Sequence, residues 1–203
     1  PPPPTGPPPP APPPPLNPPA FYETSEYLGS SFQSGNRSGL GQVGASTAYS
    51  KGATGQGIIV AVIDTNVDTT ISELTGQIFA THDIFSTTRS STDIDTGGHG
   101  TLVSSVIVAN KNNVGIHGIA YEAKVLAIRA DSPGSCQLTG VDEGCSFADS
   151  ATSRAIDYAI ANGAKIINMS LGGPIDADPT LENAVRRAVL AGVLVVISAG
   201  NEG

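Results

Sequence analysis

Four short apolar runs separated by helix-period stretches constrain this chain more than any other feature of it. Ile58 to Ile63, Ala123 to Ile128, Lys165 to Met169 and Val193 to Ile197 are rich in β-branched residues. Unbroken runs of this length suit strands buried on both faces, because a strand with one face in water would alternate apolar with polar. Between them Thr101 to Ala109, Asp149 to Ala161 and Pro179 to Ala191 repeat their apolar residues with helical period, and a glycine in the helix-stop position follows each of the last two. Ala45 to Lys51, ended by Gly52, is a further short helix candidate. Strands that alternate with helices pair in parallel through right-handed crossovers, so the expected fold class is α/β: a three-layer, doubly wound parallel sheet with helices on both faces.

In such a sheet, ligands collect at the carboxyl ends of the strands. Asp64 directly follows the first run, Ser170 follows the third and Asn201 lies just past the fourth, so all three are expected on one edge. Gly97-Gly98-His99-Gly100-Thr101 sets a histidine at the start of an apolar helix, where small neighbours let other groups approach the ring. Taken alone, an aspartate at a strand end can cap a turn and a histidine at a helix start can be structural. Here the strand-end aspartate precedes the histidine, which shifts the balance away from those readings.

Two more motifs complete a pattern: Asn168-Met-Ser170-Leu171-Gly172-Gly173 after one strand, and Ser198-Ala199-Gly200-Asn201 after another. With Asp64 and His99 in this order, the chain resembles the subtilisin-like serine proteases, or subtilases, from about Ala45 to Gly203. The resemblance implies that Asp64 accepts a ring N–H from His99, and that His99 is base and then acid for a serine hydroxyl and the leaving amine. It implies that Ser170, Leu171 and Gly172 pair their main chain with an extended peptide or protein substrate, and that Asn201 donates its amide to the oxyanion. Two departures stand out. Asn66 occupies a position where the family usually has glycine, and Asn is the next most tolerant residue of left-handed backbone, so the turn is expected to survive. Leu102-Val103-Ser104-Ser105 replaces the more usual His-Val-Ala-Gly.

The family's nucleophile sits in a Gly-Thr-Ser motif at a helix start, and no Gly-Thr-Ser occurs in these residues. The expectation is a partial subtilase catalytic domain over residues 45–203, incomplete at its C-terminus, whose serine lies outside this chain and which is inactive as it stands. The alternative is a catalytically dead subtilase acting as a peptide-binding or surface module.

Other features carry weaker expectations. Asp95, four residues before His99, competes with Asp64 as the orienting carboxylate; spacing cannot separate them, and its polar, Gly-rich setting suits the rim of the cleft better. No cofactor is required for such catalysis. The polar stretch that begins at Asn110 matches a loop that binds calcium in many subtilases, here through Asn112 with Glu73, although a plain loop is at least as good a reading. His82 and His117 lack partners at metal-ligand spacing and read as ordinary surface or turn residues. Gly39, Gly41 and Gly44 match a dinucleotide fingerprint letter by letter, but no apolar strand precedes them, so a nucleotide-dependent enzyme is a poor rival.

Cys136 and Cys145 suit a small disulfide-closed loop in an oxidising compartment, with two free thiols as the other reading. Their loop, from Asp131 to Phe147, is long for a strand-to-helix connection and is expected to edge the substrate cleft. Residues 1–20 hold fourteen of the 17 prolines and no charge, which makes them a proline-rich linker. Residues 21–44 are polar and read as an irregular lead-in. A net charge of -8 lacks the basic footprint that nucleic acid or anionic lipid requires, and no apolar run approaches the length of a transmembrane segment. The proline-rich start with the long loop is loosely similar to subtilase passenger domains of bacterial autotransporters, which implies a protein secreted or displayed on the bacterial cell surface.

Overall fold

The computed structural model describes residues 16–29, 39–88, 98–115, 117–137, 144–172 and 179–200. Helices α1 (Pro19–Tyr22), α2 (Ser25–Leu28), α3 (Gly39–Gln42) and α4 (Ala45–Tyr49) precede strand β1 (Ile59–Asp64). Then come β2 (Ile78–Asp83), α5 (His99–Val108), β3 (Lys124–Arg129), α6 (Asp149–Ala161), β4 (Ile166–Met169), α7 (Pro179–Leu190) and β5 (Leu194–Ile197). The strands form one parallel sheet in the order β2-β3-β1-β4-β5.

Period-two alternation along the central strands builds the layers. Val60 and Val62 of β1 and Val125 and Ala127 of β3 face α5, packing with Val108, Val103 and Ile107. Ala61, Ile63, Leu126 and Ile128 face the other way, onto Ala155, Ile156 and Ala159 of α6 and Ala184 and Ala188 of α7. This is the three-layer α/β arrangement expected of strands apolar at every position. Each fully buried Val, Leu or Ile in these layers contributes about 1.5–3 kcal/mol of apolar transfer. The alanines on α6 and α7 bring the helix axes close to the sheet, and the helices are joined across their outer surface by Arg187 with Asp157.

Within the fold, the structure departs from the sequence reading at β2, at the chain before β1 and at His117. Strand β2 is absent from the expected set: it lies at the sheet edge, and its residues alternate between exposed and partly buried instead of running apolar. Chain expected to be irregular forms the short turns α1 to α3, and together with α4 it builds a third, separate cluster from Tyr27, Leu40, Ala45 and Tyr49, with Tyr22 and Tyr121 packed on it. His117, expected at the surface or in a turn, is buried against that cluster. Residues 1–15 of the proline-rich stretch lie outside the described residues.

Candidate active site

Asp64 ends β1 opposite Arg129 in the parallel register, and its carbonyl accepts the Ala130 N–H at 2.9 Å. The neighbouring strand thereby fixes the backbone from which the carboxylate projects. His99 opens α5, with Gly98 in the left-handed region at φ 64° just before it. Gly100 is required here by packing: a Cβ on it would sit 2.6 Å from the Thr65 carbonyl oxygen and 2.9 Å from that of Asn66. Without a side chain, the first turn of α5 lies directly on the loop that leaves β1, and the Gly100 N–H donates to Thr65 Oγ1 at 3.1 Å. Thr101 Oγ1 in turn accepts the Asp68 N–H at 2.8 Å.

That docking brings His99 Nδ1 to 2.8 Å from Asp64 Oδ1. The same oxygen accepts the Thr65 N–H at 2.7 Å, whereas Oδ2 has no partner among the described residues. Asp64 is fully buried and the His99 side chain is 54% exposed. Burial pushes the Asp64 carboxyl above its ordinary value, and the bonds from His99 and Thr65 draw it partly back. A carboxylate in this position fixes the imidazole with its proton on Nδ1, which leaves Nε2 as an acceptor.

Ser170, Leu171 and Gly172 continue past β4 at the same end of the sheet, outside any helix or strand. The Asn168 amide donates to Ser170 Oγ at 3.0 Å, the Ser198 hydroxyl donates to the Leu171 carbonyl, and the Ser198 N–H donates to Met169 at 3.1 Å. The chain leaving β5 toward Asn201 is therefore tied to the chain leaving β4. Asn201 and Asp95 themselves lie outside the described residues.

Asn66 is not left-handed: among the described residues the positive-φ position that is not glycine is Asn113, at φ 69°. The tolerance argument for Asn66 is thus unnecessary. Thr65 and Thr101, which join the β1 loop to α5, carry no signal in the sequence beyond adjacency to Asp64 and His99. Glu73 and Asn112 do meet, the Asn112 amide nitrogen lying 3.2 Å from Glu73 Oε2. Among the described residues no three His, Cys, Asp or Glu side chains gather as a metal site.

Cys136 and Cys145 are joined as a disulfide. Its loop leaves the carboxyl end of β3 beside Asp64, and its stem is closed by Ser132 N–H donating to the Ser146 carbonyl at 2.8 Å. Beneath the stem Arg129 grips the fully buried Asp131 through Nε at 2.8 Å and Nη2 at 3.1 Å. A small cavity of about 170 Å³ opens between the carboxyl ends of β1, β2 and β3, lined in part by Thr65, Asn66, His82 and Arg129.

Comparison with known proteins gives concordant matches. The profile of the subtilase family matches residues 55–203. The chain is 39% identical over 169 residues to the major intracellular serine protease of Bacillus subtilis, covering 81% of this chain and 49% of that protein. It is 35% identical over 166 residues to subtilisin E of the same species, covering 81% of this chain and 40% of that one. Among solved structures, the prenylagaramide maturation protease PagA superposes with a TM-score of 0.59 at 28% identity, covering 78% of this chain and 51% of that one. The chain spans about half the length, or less, of these relatives.

Proposed function

Because the chain belongs to the subtilase family, we propose that it is the Asp- and His-bearing part of a serine endopeptidase that cleaves extended protein segments through an acyl-enzyme. The observation that carries this reading is the 2.8 Å contact between the buried Asp64 carboxylate and the exposed His99 ring. These two side chains come from a strand end and a helix start, and nothing but packing joins them.

In the proposed cycle Asp64 holds the His99 tautomer, and Nε2 takes the proton of a serine hydroxyl as the oxygen attacks the scissile carbonyl. Asp64 stabilises the imidazolium so formed, which then protonates the departing amine. Water repeats the sequence and releases the acid. The serine is assigned to sequence beyond these 203 residues. Asn201 is assigned the oxyanion, a donor of a kind that contributes about 3 to 4 kcal/mol. The main chain of Ser170, Leu171 and Gly172 is assigned to an extended substrate strand, for which its position past β4 suits it.

Calcium has no part in these steps. Asn112 Oδ1 accepts the Val114 N–H at 2.9 Å and its nitrogen faces Glu73, so the pair closes the loop by a hydrogen bond. The disulfide supports an enzyme that works in an oxidising compartment, secreted or on the bacterial surface, even though one relative is named for an intracellular enzyme.

A fluorophosphonate probe tests the reading on the full-length protein. Covalent labelling and cleavage of an unfolded protein substrate are expected in the wild type, with both lost in His99→Ala. Unchanged cleavage by that variant overturns the proposal.

A further inference from the structure

The cluster around His117 takes no part in the site, yet it holds a titratable side chain in an environment with a clear bias. The His117 ring is 2% exposed. Its Nδ1 lies 2.9 Å from the Gly118 carbonyl oxygen and must donate to it, so the neutral ring carries its proton there. Nε2 is then a buried acceptor without a partner among the described residues. The rings of Tyr27, Tyr49 and Tyr121 surround it, with centroids 6.1, 5.9 and 5.1 Å away.

His117 stands at a joint between the α5 layer of the sheet and a separate hydrophobic cluster. On one side the strip from Gly118 to Ala120 is bound to the end of α5, through Gly118 N–H to Ala109, Ile119 N–H to Val106 and Ala120 N–H to Ile107. A Cβ on Gly118 would lie 2.5 Å from the backbone nitrogens of Val108 and Ala109, so this strip has no room to move against the helix. On the other side is the segment from α1 to α4, whose cluster is separate from the two cores that flank the sheet. Its links to the rest of the protein include the tyrosine rings, the Tyr49 hydroxyl donating to Ile119 at 2.9 Å, and Glu26. The Glu26 carboxylate accepts the N–H groups of Asn112 at 3.0 Å and Asn113 at 2.9 Å.

We propose that His117 is an acid-operated latch: the neutral imidazole keeps the cluster built on α1 to α4 docked, and a proton on Nε2 releases it. A protonated ring would place a new N–H and a full charge in a buried site with no acceptor among the described residues. The titratable and charged groups that face it are Glu26 and Tyr27 from α2, Tyr49 from α4, and Lys111 and Tyr121 from the chain after α5. On α5 the one titratable side chain is His99, at the opposite end. Lys111, held over the Tyr121 ring at 5.7 Å, opposes a second positive charge. Glu26 could offset that charge only by leaving Asn112 and Asn113, which undoes the docking by another route.

Burial holds the docked ring below the ordinary histidine value of 6.5, whereas a released ring returns to it. The docked state therefore binds fewer protons, and docking is at full strength above that value and weakens as the pH falls below it.

Hydrogen exchange on the full-length protein, read as protection corrected for the intrinsic rate, tests the latch. Between about pH 7.5 and about pH 5, peptides from α2, α4 and the Asn112–Asn113 turn are expected to lose protection at least about tenfold, while those of β1 and β3 keep theirs. His117→Phe fills the ring volume without titrating and is expected to abolish the pH dependence; if it does not fold, His117→Gln serves the same purpose. Equal wild-type protection at both values, or the same loss in the variant, overturns the proposal.

Discussion

Asp64 places two demands on one side chain. Its carboxylate is buried with Oδ2 unpaired among the described residues, which favours a neutral group, yet the proposed role of orienting His99 requires the charge. Asp64→Asn separates the two. Activity of the full-length enzyme is expected to fall about 10⁴-fold, since a carboxamide favours the wrong tautomer. Stability is expected to rise at neutral pH. The sign follows from the raised carboxyl: the folded state holds the proton more tightly than the unfolded state, so the wild type loses stability as pH climbs through the ordinary value of 3.8 toward the folded one. The variant has no such loss. Denaturant midpoints of the two proteins at about pH 3.5 and about pH 7 measure it, and a stability gap that fails to widen toward neutrality contradicts the assignment.

Among the elements, α5 bears on the site most directly because its first turn rests on the backbone of Thr65 and Asn66. Gly100→Ala cannot be absorbed by a rotamer change, since the obstacles are main-chain carbonyls. A loss of about 1–3 kcal/mol is expected from overpacking, together with a fall in kcat as His99 is lifted from Asp64. Chemical denaturation and peptide turnover check the two parts. The β3 to α6 connection depends on a different device. Its disulfide closes a sequence separation of 9, so Cys136→Ser with Cys145→Ser is expected to cost up to about 2 to 3 kcal/mol by loop entropy. The Ser132 to Ser146 bond and the Arg129–Asp131 pair hold the stem in part, and they reduce that cost. If the loop edges the cleft, the same variant changes which peptides the full-length enzyme cuts; an unaltered cleavage profile removes the loop from substrate selection.

At the scale of the whole molecule, apolar surface is distributed unevenly. Leu190 is 87% exposed at the end of α7, and Leu194, Val196 and Ile197 are exposed on β5, whose outer edge is unpaired among the described strands. An open edge beside an apolar face is a template for association. Residues 1–203 expressed by themselves are expected to self-associate, with Leu194→Lys shifting the sedimentation profile toward monomer; a monodisperse wild-type fragment contradicts this. The whole fold also shows where the sequence was readable. Strands β1 and β3 were legible because burial on both faces leaves a nearly unbroken apolar signature, and β4 and the edge strand β5 because their short runs are rich in β-branched residues. Strand β2 was not, because an edge strand with a partly wetted face carries a weak alternating pattern that could equally be loop. Helices α5, α6 and α7 were legible from their period and stop residues. The turns α1 to α3 were not, because single turns have no period to read.

The amino-acid sequence by itself determined strands β1, β3, β4 and β5, helices α4 to α7 and the sheet edge on which Asp64, Ser170 and the chain toward Asn201 emerge, since these follow from local patterns of burial. It also carried the motifs of the family. Tertiary structure alone decided that His99 meets Asp64 through Gly100, that Thr65 and Thr101 tie the loop to the helix, and that His117 lies sealed among three tyrosines. Those relations depend on distances between residues far apart in the chain, and distance across a fold is set by how whole layers pack, which no local pattern of residues encodes.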